Sequence, residues 1–187
     1  MYPGINEDGS LKKFSTPKPS STAAKAASTG DVETLQTLSK SEIVATDEHG
    51  NTALIWAANS GQTNVLEYIL NLGVLANETA TQSEHSDYLN HKGYLGNTAL
   101  SRAARGGHVE CVRLLISQDK IDPNMCNEKM QFPLHFGAFK KHIDVVKVLL
   151  ESGKCDTFVK DRKGRTPAED TRVQEIKDLI ISYRNKQ

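Results

Sequence analysis

One short motif occurs four times in this chain, and its spacing limits how the chain can fold. Each copy carries an apolar third residue, and in the first three copies a pair of small residues follows it. The third residues are Leu54, Leu100, Leu134 and Ala168, which lie 46, 34 and 34 positions apart. Apolar residues recur at helical spacing after each copy, so the sequence predicts tandem helical units that stack on one another.

The third copy is the longest, and it points to a known family. Residues 131–138 read Gln-Phe-Pro-Leu-His-Phe-Gly-Ala, which is close to the Thr-Pro-Leu-His-x-Ala signature of a 33-residue repeat. The chain therefore resembles the ankyrin repeat family. The resemblance implies an all-α solenoid of about five helix-turn-helix repeats, with hairpin fingers between them and one extended finger loop.

Repeat boundaries follow from the apolar pattern and from the turns that precede each copy. Residues 1–19 contain prolines and glycines but few apolar side chains, so we expect a flexible tail there. Residues 20–187 form the predicted ankyrin-repeat domain, with an N-terminal cap, three internal repeats and a C-terminal cap. The five repeats are predicted at about residues 20–45, 46–77, 93–124, 127–158 and 161–184.

The first spacing of 46 leaves about 13 residues more than the repeat needs. We place this insertion at residues 78–92 and expect it at a finger, on the edge where ankyrin proteins contact partners. Its composition is polar up to Tyr88 and Leu89. Long surface loops are either functional or disordered, and they are inexpensive to close. The sequence favours disorder over function and leaves both open.

Composition excludes several classes of protein. Net charge is zero, yet residues 1–92 hold 6 basic and 11 acidic residues while residues 93–187 hold 17 and 12. Neutral overall charge without interleaved aromatic residues argues against nucleic-acid binding. No run of about 18 apolar residues is present, and the N-terminus lacks a signal-peptide pattern. An odd number of cysteines argues against a secreted disulfide framework, so we expect a cytoplasmic or nuclear protein without membrane contact.

No pattern for catalysis or for cofactor binding is visible. The chain lacks the glycine-rich loops that hold nucleotides, and His85 and His91 do not have the spacing of a common zinc site. Cys111 and Cys155 occupy predicted core positions, and Cys126 is the best candidate for an exposed thiol. We therefore predict that the protein is not an enzyme and that it has no cofactor and no metal site.

Two further predictions concern single positions. Met130 replaces the glycine of the family's turn, so it either adopts a strained positive φ or the finger takes another turn. His108, His135 and His142 are predicted to hydrogen-bond the backbone of neighbouring repeats, because no nucleophile accompanies them.

The resemblance implies a concave surface built from finger tips and first helices. In this chain the corresponding offsets give the following candidate partner-binding residues: Glu48, His49, Asn51, Asn59, Ser60, Tyr94, Leu95, Asn97, Arg102, Arg105, Glu128, Lys129, Gln131, Phe139, Lys140, Arg162, Lys163 and Arg165. Tyr94, Leu95 and Phe139 stand out, since aromatic and apolar side chains among charges are typical of binding hot spots.

We predict that this surface is apolar at its centre and basic toward the C-terminus. The expected function is a monomeric protein-protein interaction scaffold that binds an acidic or amphipathic segment of another protein. The alternative is a regulatory or substrate-recruiting module or subunit of a larger enzyme system. The initiating methionine and the C-terminal cap favour a complete small protein.

Overall fold

The structure is a computed structural model that describes residues 17–72 and 87–184, and regular structure within these ranges is helical throughout. An N-terminal cap comprises α1 (Thr22–Thr29), α2 (Val32–Thr37) and α3 (Lys40–Val44). Helix pairs follow: α4 (Ala53–Ser60) with α5 (Thr63–Asn71), α6 (Ala99–Gly106) with α7 (Val109–Ile116), α8 (Pro133–Phe139) with α9 (Ile143–Glu151), and α10 (Pro167–Asp170) with α11 (Gln174–Arg184).

The helices form two layers. Helices α1, α4, α6, α8 and α10 pack side by side in sequence order, and the second helices pack behind them. The four third residues of the repeated motif lie in the core, at 0–2% exposure. Ala57, Ala58, Ala103 and Ala104 are completely buried, because their small side chains allow neighbouring first helices to approach closely. The predicted all-α ankyrin solenoid is confirmed.

Helix ends explain why the first helices are so regular. The Thr52 and Thr98 hydroxyls accept hydrogen bonds from backbone N–H groups in the first turns of α4 and α6, as is usual for an N-cap threonine. Gly61 and Gly107 end these helices at φ of 72° and 77°. The same repeat position in α8 holds Lys141, at φ 66°, a conformation that costs a side-chain-bearing residue about 1–2 kcal/mol.

The repeat pattern resumes earlier than the sequence predicted. Leu89 is 2% exposed, and the Asn90 side chain donates to the Lys120 carbonyl and accepts from the Asp122 backbone N–H, both at 2.8 Å. Asn124 makes the same two bonds to the next repeat, 34 positions later. Asn90 thus makes the contacts of a regular repeat position, although it lies within the predicted insertion at residues 78–92. Residues 78–86 of that insertion lie outside the described residues.

The N-terminal tail meets the domain at its last residues. Ser20 accepts a hydrogen bond from the Glu48 backbone N–H through its hydroxyl, and Ser21 caps α1. Residues 1–16 of the predicted tail lie outside the described residues. Across the described ranges, the helices are too short and too polar to cross a bilayer.

Candidate functional site

Four finger turns join the repeats, and all four close with the same backbone hydrogen bonds. In three of them the first residue also accepts two backbone N–H bonds through its side chain, at 2.8–2.9 Å. These residues are Asp47, Asn127 and Asp161. A short side chain that accepts hydrogen bonds from the backbone N–H groups two and four residues ahead fixes the turn. Each of these fingers is therefore held by its own first residue.

The finger of the third repeat is built differently. Its first residue is Gly93, which has no side chain to accept these bonds, and Leu95 instead adopts φ 59°. A Cβ atom at Gly93 would lie 2.3 Å from the Asn51 Oδ1 atom, an oxygen that accepts the Tyr94 backbone N–H at 3.0 Å. Glycine is therefore required at this position by the preceding finger. Leu95 stays 42% exposed.

Of the two options predicted for Met130, the structure has the positive φ. Its φ is 55°, and its side chain is 47% exposed. The finger keeps the regular turn and places a residue with a Cβ atom in the left-handed region, where few residues other than glycine are stable.

Position 102 separates the third repeat from its neighbours. In the second repeat the equivalent residue is Trp56, whose indole N–H donates to Asp47 Oδ2 at 2.7 Å. In the third repeat Arg102 donates from Nη2 to the Tyr94 carbonyl at 3.2 Å. Burial lowers the pKa of Arg102, and the neighbouring charge of Arg105 lowers it further. Arginine titrates so far above neutrality that the guanidinium stays charged.

These residues line a concave cavity of about 520 Å³. Its apolar wall includes Trp56, Tyr94 and Leu95, and its basic wall consists of Arg102, Arg105 and Lys140. A second cavity of about 170 Å³ adjoins it and shares Leu95, Arg105 and Lys140 with it, and Phe139 and Lys129 lie on its border. We call the two cavities together the central groove, which extends over repeats two to four.

The central groove brings together ten of the predicted binding residues. They are Asn59, Tyr94, Leu95, Arg102, Arg105, Glu128, Lys129, Gln131, Phe139 and Lys140. Asn51 and Asn97 also reach its edge, but they are only 2% and 3% exposed. The Asn97 Oδ1 atom accepts from the Asn127 side chain at 3.2 Å, and Asn51 holds Tyr94. Both asparagines thus bond neighbouring fingers through their side-chain oxygens.

The remaining predicted residues lie in the first and last fingers, except for Ser60, which ends α4. His49 lies 3.5 Å from the Glu48 carboxylate and meets the Tyr94 ring edge-on, with the ring centroids 6.1 Å apart. In the last finger Arg162 donates to the Glu128 carbonyl at 2.5 Å. Lys163 is exposed.

Arg165, in contrast, is bound within its own repeat. Its Nη2 atom lies 2.8 Å from Asp161 Oδ2 and 2.7 Å from Asp170 Oδ1. Two carboxylates neutralise this guanidinium, so the predicted basic C-terminal end of the surface is weaker than its composition indicates. At the centre, Arg102 and Arg105 are in no ion pair of the described residues.

The three predicted structural histidines contact neighbouring repeats as expected. The Nε2 atoms of His108 and His142 lie 3.2 Å and 3.3 Å from the Asn59 and Arg105 carbonyl oxygens. His135 is completely buried, with Nε2 2.9 Å from the Arg165 carbonyl oxygen. Burial lowers the pKa of His135, although the bond to Arg165 opposes this shift.

The thiols do not form a site. Cys111 and Cys155 are buried, and burial raises the pKa of Cys155 to about 12, which suppresses the reactive thiolate. Cys126 is half-buried. Among the described residues no group of three or more His, Cys, Asp or Glu side chains could hold a metal ion, and His85 lies outside them.

Two features of the groove escaped the sequence prediction. Pro17 lines its first cavity, although the sequence assigned this residue to the tail. Trp56 lines it as well, although it is not among the predicted binding residues. The alignment of Trp56 with the polar Arg102 was the available signal, because a position that accepts arginine in one repeat has access to solvent.

Comparison with known proteins agrees with this architecture. A family model described as ankyrin repeats (3 copies) matches residues 8–80 and 75–161. The chain is 31% identical over 107 residues to alpha-latrocrustotoxin-Lt1a of Latrodectus tredecimguttatus, covering 57% of the chain and 7% of the toxin. It is 29% identical over 120 residues to the human transient receptor potential cation channel subfamily A member 1, covering 64% of the chain and 10% of the channel.

A third similarity is to the mitochondrial liver isoform of glutaminase from Rattus norvegicus. Identity is 38% over 85 residues, which covers 43% of the chain and 14% of the glutaminase. The chain thus spans a small fraction of the length of each of these relatives, so the likeness concerns one part of each of them.

Proposed function

The chain belongs to the ankyrin repeat family, and on that basis we propose that it is a non-catalytic scaffold that binds a segment of another protein in the central groove. Ankyrin repeats generally mediate protein-protein interaction. The proposal for this chain names the surface: the groove between the fingers and first helices of repeats two to four. We place the protein in the cytoplasm or nucleus as a monomer.

The observation that carries this proposal is the composition of the groove. Leu95 and Phe139 are 42% and 54% exposed, and they flank a depression that also contains Tyr94. Exposed apolar side chains in a concave, charge-rimmed surface favour a binding site over a surface that stays in water. The outer helices instead present charged pairs such as Arg113 with Glu110 and Lys147 with Asp144.

A second candidate function comes from the relatives. All three are several times longer than this chain, and one is named a glutaminase. This favours, as the alternative, a regulatory or substrate-recruiting module or subunit of a larger enzyme system. Transcript sequencing that shows the reading frame continuing beyond Gln187 into a catalytic domain would select the alternative.

The test of the scaffold proposal compares two triple variants by quantitative affinity purification from the source cell. The groove variant carries Tyr94→Ala, Arg105→Ala and Phe139→Ala. The matched control carries Glu67→Ala, Arg113→Ala and Lys147→Ala on the second helices. We expect the groove variant to lose the proteins that wild type and control retain, with unchanged thermal stability. Equal recovery by all three proteins would contradict the proposal.

A further inference from the structure

We propose that the centre of the groove contains a carboxylate-binding subsite, and that the partner is an acidic peptide segment with an apolar side chain next to its acidic residue. This inference rests on the proposed function and assigns its ligand chemistry. The subsite consists of Arg102, Arg105 and Lys140. The neighbouring apolar subsite consists of Trp56, Tyr94 and Leu95.

The first observation is that these three cations lack anionic partners. No ion pair between described residues includes Arg102, Arg105 or Lys140. All three line the first cavity, whose described lining contains no carboxylate, while Glu128 lines the adjoining second cavity. Like charges that converge without a counter-charge repel one another, so an arriving anion would relieve an existing cost.

The second observation is the state of Arg102. Its Nε–H is buried and has no hydrogen-bond partner among the described residues, while its Nη2 atom reaches only the Tyr94 carbonyl. A partly buried guanidinium with an unused donor is well suited to a carboxylate, because its donors form a planar fork that matches two oxygens.

The third observation is the helical register of the two arginines. Arg102 and Arg105 are three residues apart on α6, so their side chains project from the same face about one turn apart. Lys140 follows α8 of the next repeat and borders both cavities. The three cations therefore border one cavity from two repeats.

Without a ligand, Arg105 and Lys140 each make one weak contact with an aromatic ring. The Arg105 guanidinium lies 6.0 Å from the centroid of the Phe136 ring, and the Lys140 ammonium lies 5.9 Å from that of Phe139. These distances are at the limit of a cation–π interaction, so both side chains remain available to a ligand.

The apolar wall determines what must accompany the carboxylate. Trp56, Tyr94 and Leu95 lie in the same cavity as the cations. Trp56 is already buried, at 7% exposure, whereas Leu95 is 42% exposed and Tyr94 is half-buried. An aromatic or aliphatic side chain beside the acidic residue would cover Tyr94 and Leu95, and a free small anion would leave them in water. The geometry therefore favours a peptide over inorganic phosphate.

Trp56 makes the subsite directly observable. It is the one tryptophan of the chain, and it lines the cavity, so its fluorescence reports on ligands there. We would titrate the full chain with a synthetic heptapeptide that alternates aspartate and phenylalanine. The comparison peptides replace aspartate by asparagine, aspartate by phosphoserine, or phenylalanine by serine.

We expect saturable binding of the aspartate-phenylalanine peptide and at least tenfold weaker binding of the asparagine and serine versions. Binding should weaken as sodium chloride rises, because the contacts are charged. Arg105→Gln and Lys140→Gln should each reduce affinity about tenfold, while the matched control Arg113→Gln leaves it unchanged. These two variants avoid Arg102, whose bond to Tyr94 also supports the finger.

Several results would overturn the inference. They are equal binding of the asparagine peptide, preference for the phosphoserine peptide, or indifference to Arg105→Gln and Lys140→Gln. If the double variant Glu7→Lys, Asp8→Lys binds the peptide more tightly than wild type does, the acidic N-terminal segment of the chain itself competes for the subsite. That result would also contradict the proposal that the ligand comes from a partner. Loss of native partners from the groove triple variant without any peptide binding would refute this inference alone and leave the scaffold proposal standing.

Discussion

The turns of the fifth-repeat finger and the third-repeat finger are held in place in opposite ways. Asp161 closes its finger with two backbone bonds, and its second carboxylate oxygen binds Arg165. Gly93 has no side chain, so its finger depends on the Asn51 side chain of the preceding finger and on Arg102. One finger neutralises its own arginine, and the other leaves its arginine without a counter-charge.

A count of basic residues therefore does not locate the positive potential of the surface. The last finger is rich in lysine and arginine, yet Arg165 lies between Asp161 and Asp170. In the third repeat Arg113 pairs with Glu110, whereas no ion pair of the described residues includes Arg102 or Arg105. Gly93 supplies no carboxylate to Arg102, in contrast to Asp161 beside Arg165.

Removal of the Asp161 carboxylate from the fifth-repeat finger should have the largest effect on stability. Asp161→Ala leaves two backbone N–H groups and the Arg165 guanidinium without their acceptor, so we expect a loss of about 2–3 kcal/mol in the free energy of unfolding. Urea denaturation followed by circular dichroism measures it. Glu151→Ala, an exposed acidic change on α9, is the control. Equal midpoints for both variants would show that the carboxylate does not hold this finger.

The third-repeat finger should be destabilised by a single methyl group added at Gly93. Gly93→Ala would force the Asn51 side chain to move away from the Tyr94 N–H, at an expected cost of about 1–2 kcal/mol. The φ of Gly93 is −85°, outside the left-handed region, so strain from a positive φ does not contribute.

A double-mutant cycle with Asn51→Ala tests this reason for the glycine. In the Asn51→Ala background there is no amide to displace, so Gly93→Ala should cost clearly less. Strict additivity of the two substitutions would contradict a direct contact between residue 93 and Asn51.

A smaller effect with the opposite sign is expected at Met130. Met130→Gly should stabilise the protein by about 0.5–1 kcal/mol, because the relieved left-handed strain exceeds the added entropy of the unfolded chain. Lys129→Gly, one position earlier and without a positive φ, should destabilise it. Thermal unfolding of both variants gives the comparison, and a lower melting temperature for Met130→Gly would contradict the strain.

The smallest effect is expected in the acid limb of the stability curve. Burial raises the pKa of Asp161, but backbone and side-chain bonds from Arg165 and the Lys163 N–H outweigh it and hold the pKa below its usual value. A carboxyl with a lowered folded-state pKa contributes stability above its unfolded pKa, near 3.9, and loses it as pH falls through the folded pKa.

The variant Asp161→Asn keeps a neutral acceptor and removes this titration. Its stability should therefore fall less steeply than that of wild type between pH 5 and pH 2, as measured by urea midpoints across that range. Parallel curves for the two proteins would show that Asp161 does not titrate differently on unfolding.

The architecture was predictable because its determinants are local and repeated. Leu54, Leu100 and Leu134 recur with the small residues that follow them, and each recurrence reports the same buried environment. The positive φ at Met130 was also foreseen as one of two options, since a missing glycine in a conserved-length turn can be read from the sequence. The same comparison at the position of Gly61 and Gly107 would have revealed Lys141.

The groove was only partly predictable because its chemistry depends on contacts between repeats. The sequence identified Tyr94, Arg105 and Phe139 as surface candidates. Burial of Asn51 and Asn97 depends on how closely adjacent fingers stack, which spacing alone does not reveal. The neutralisation of Arg165 likewise requires Asp161 and Asp170 to converge on one guanidinium.

The side-chain bonds of Asn90 and Asn124 limit how far a change in loop length can disturb the repeats that follow. Asn90 and Asn124 each tie their repeat to the next through a donated and an accepted bond. Because Asn90 restores the repeat register, segments of different length should be exchangeable between Leu72 and Asp87. Each doubling of such a connection costs only about 0.6 kcal/mol, which makes this junction a natural place to graft a second binding peptide or an epitope.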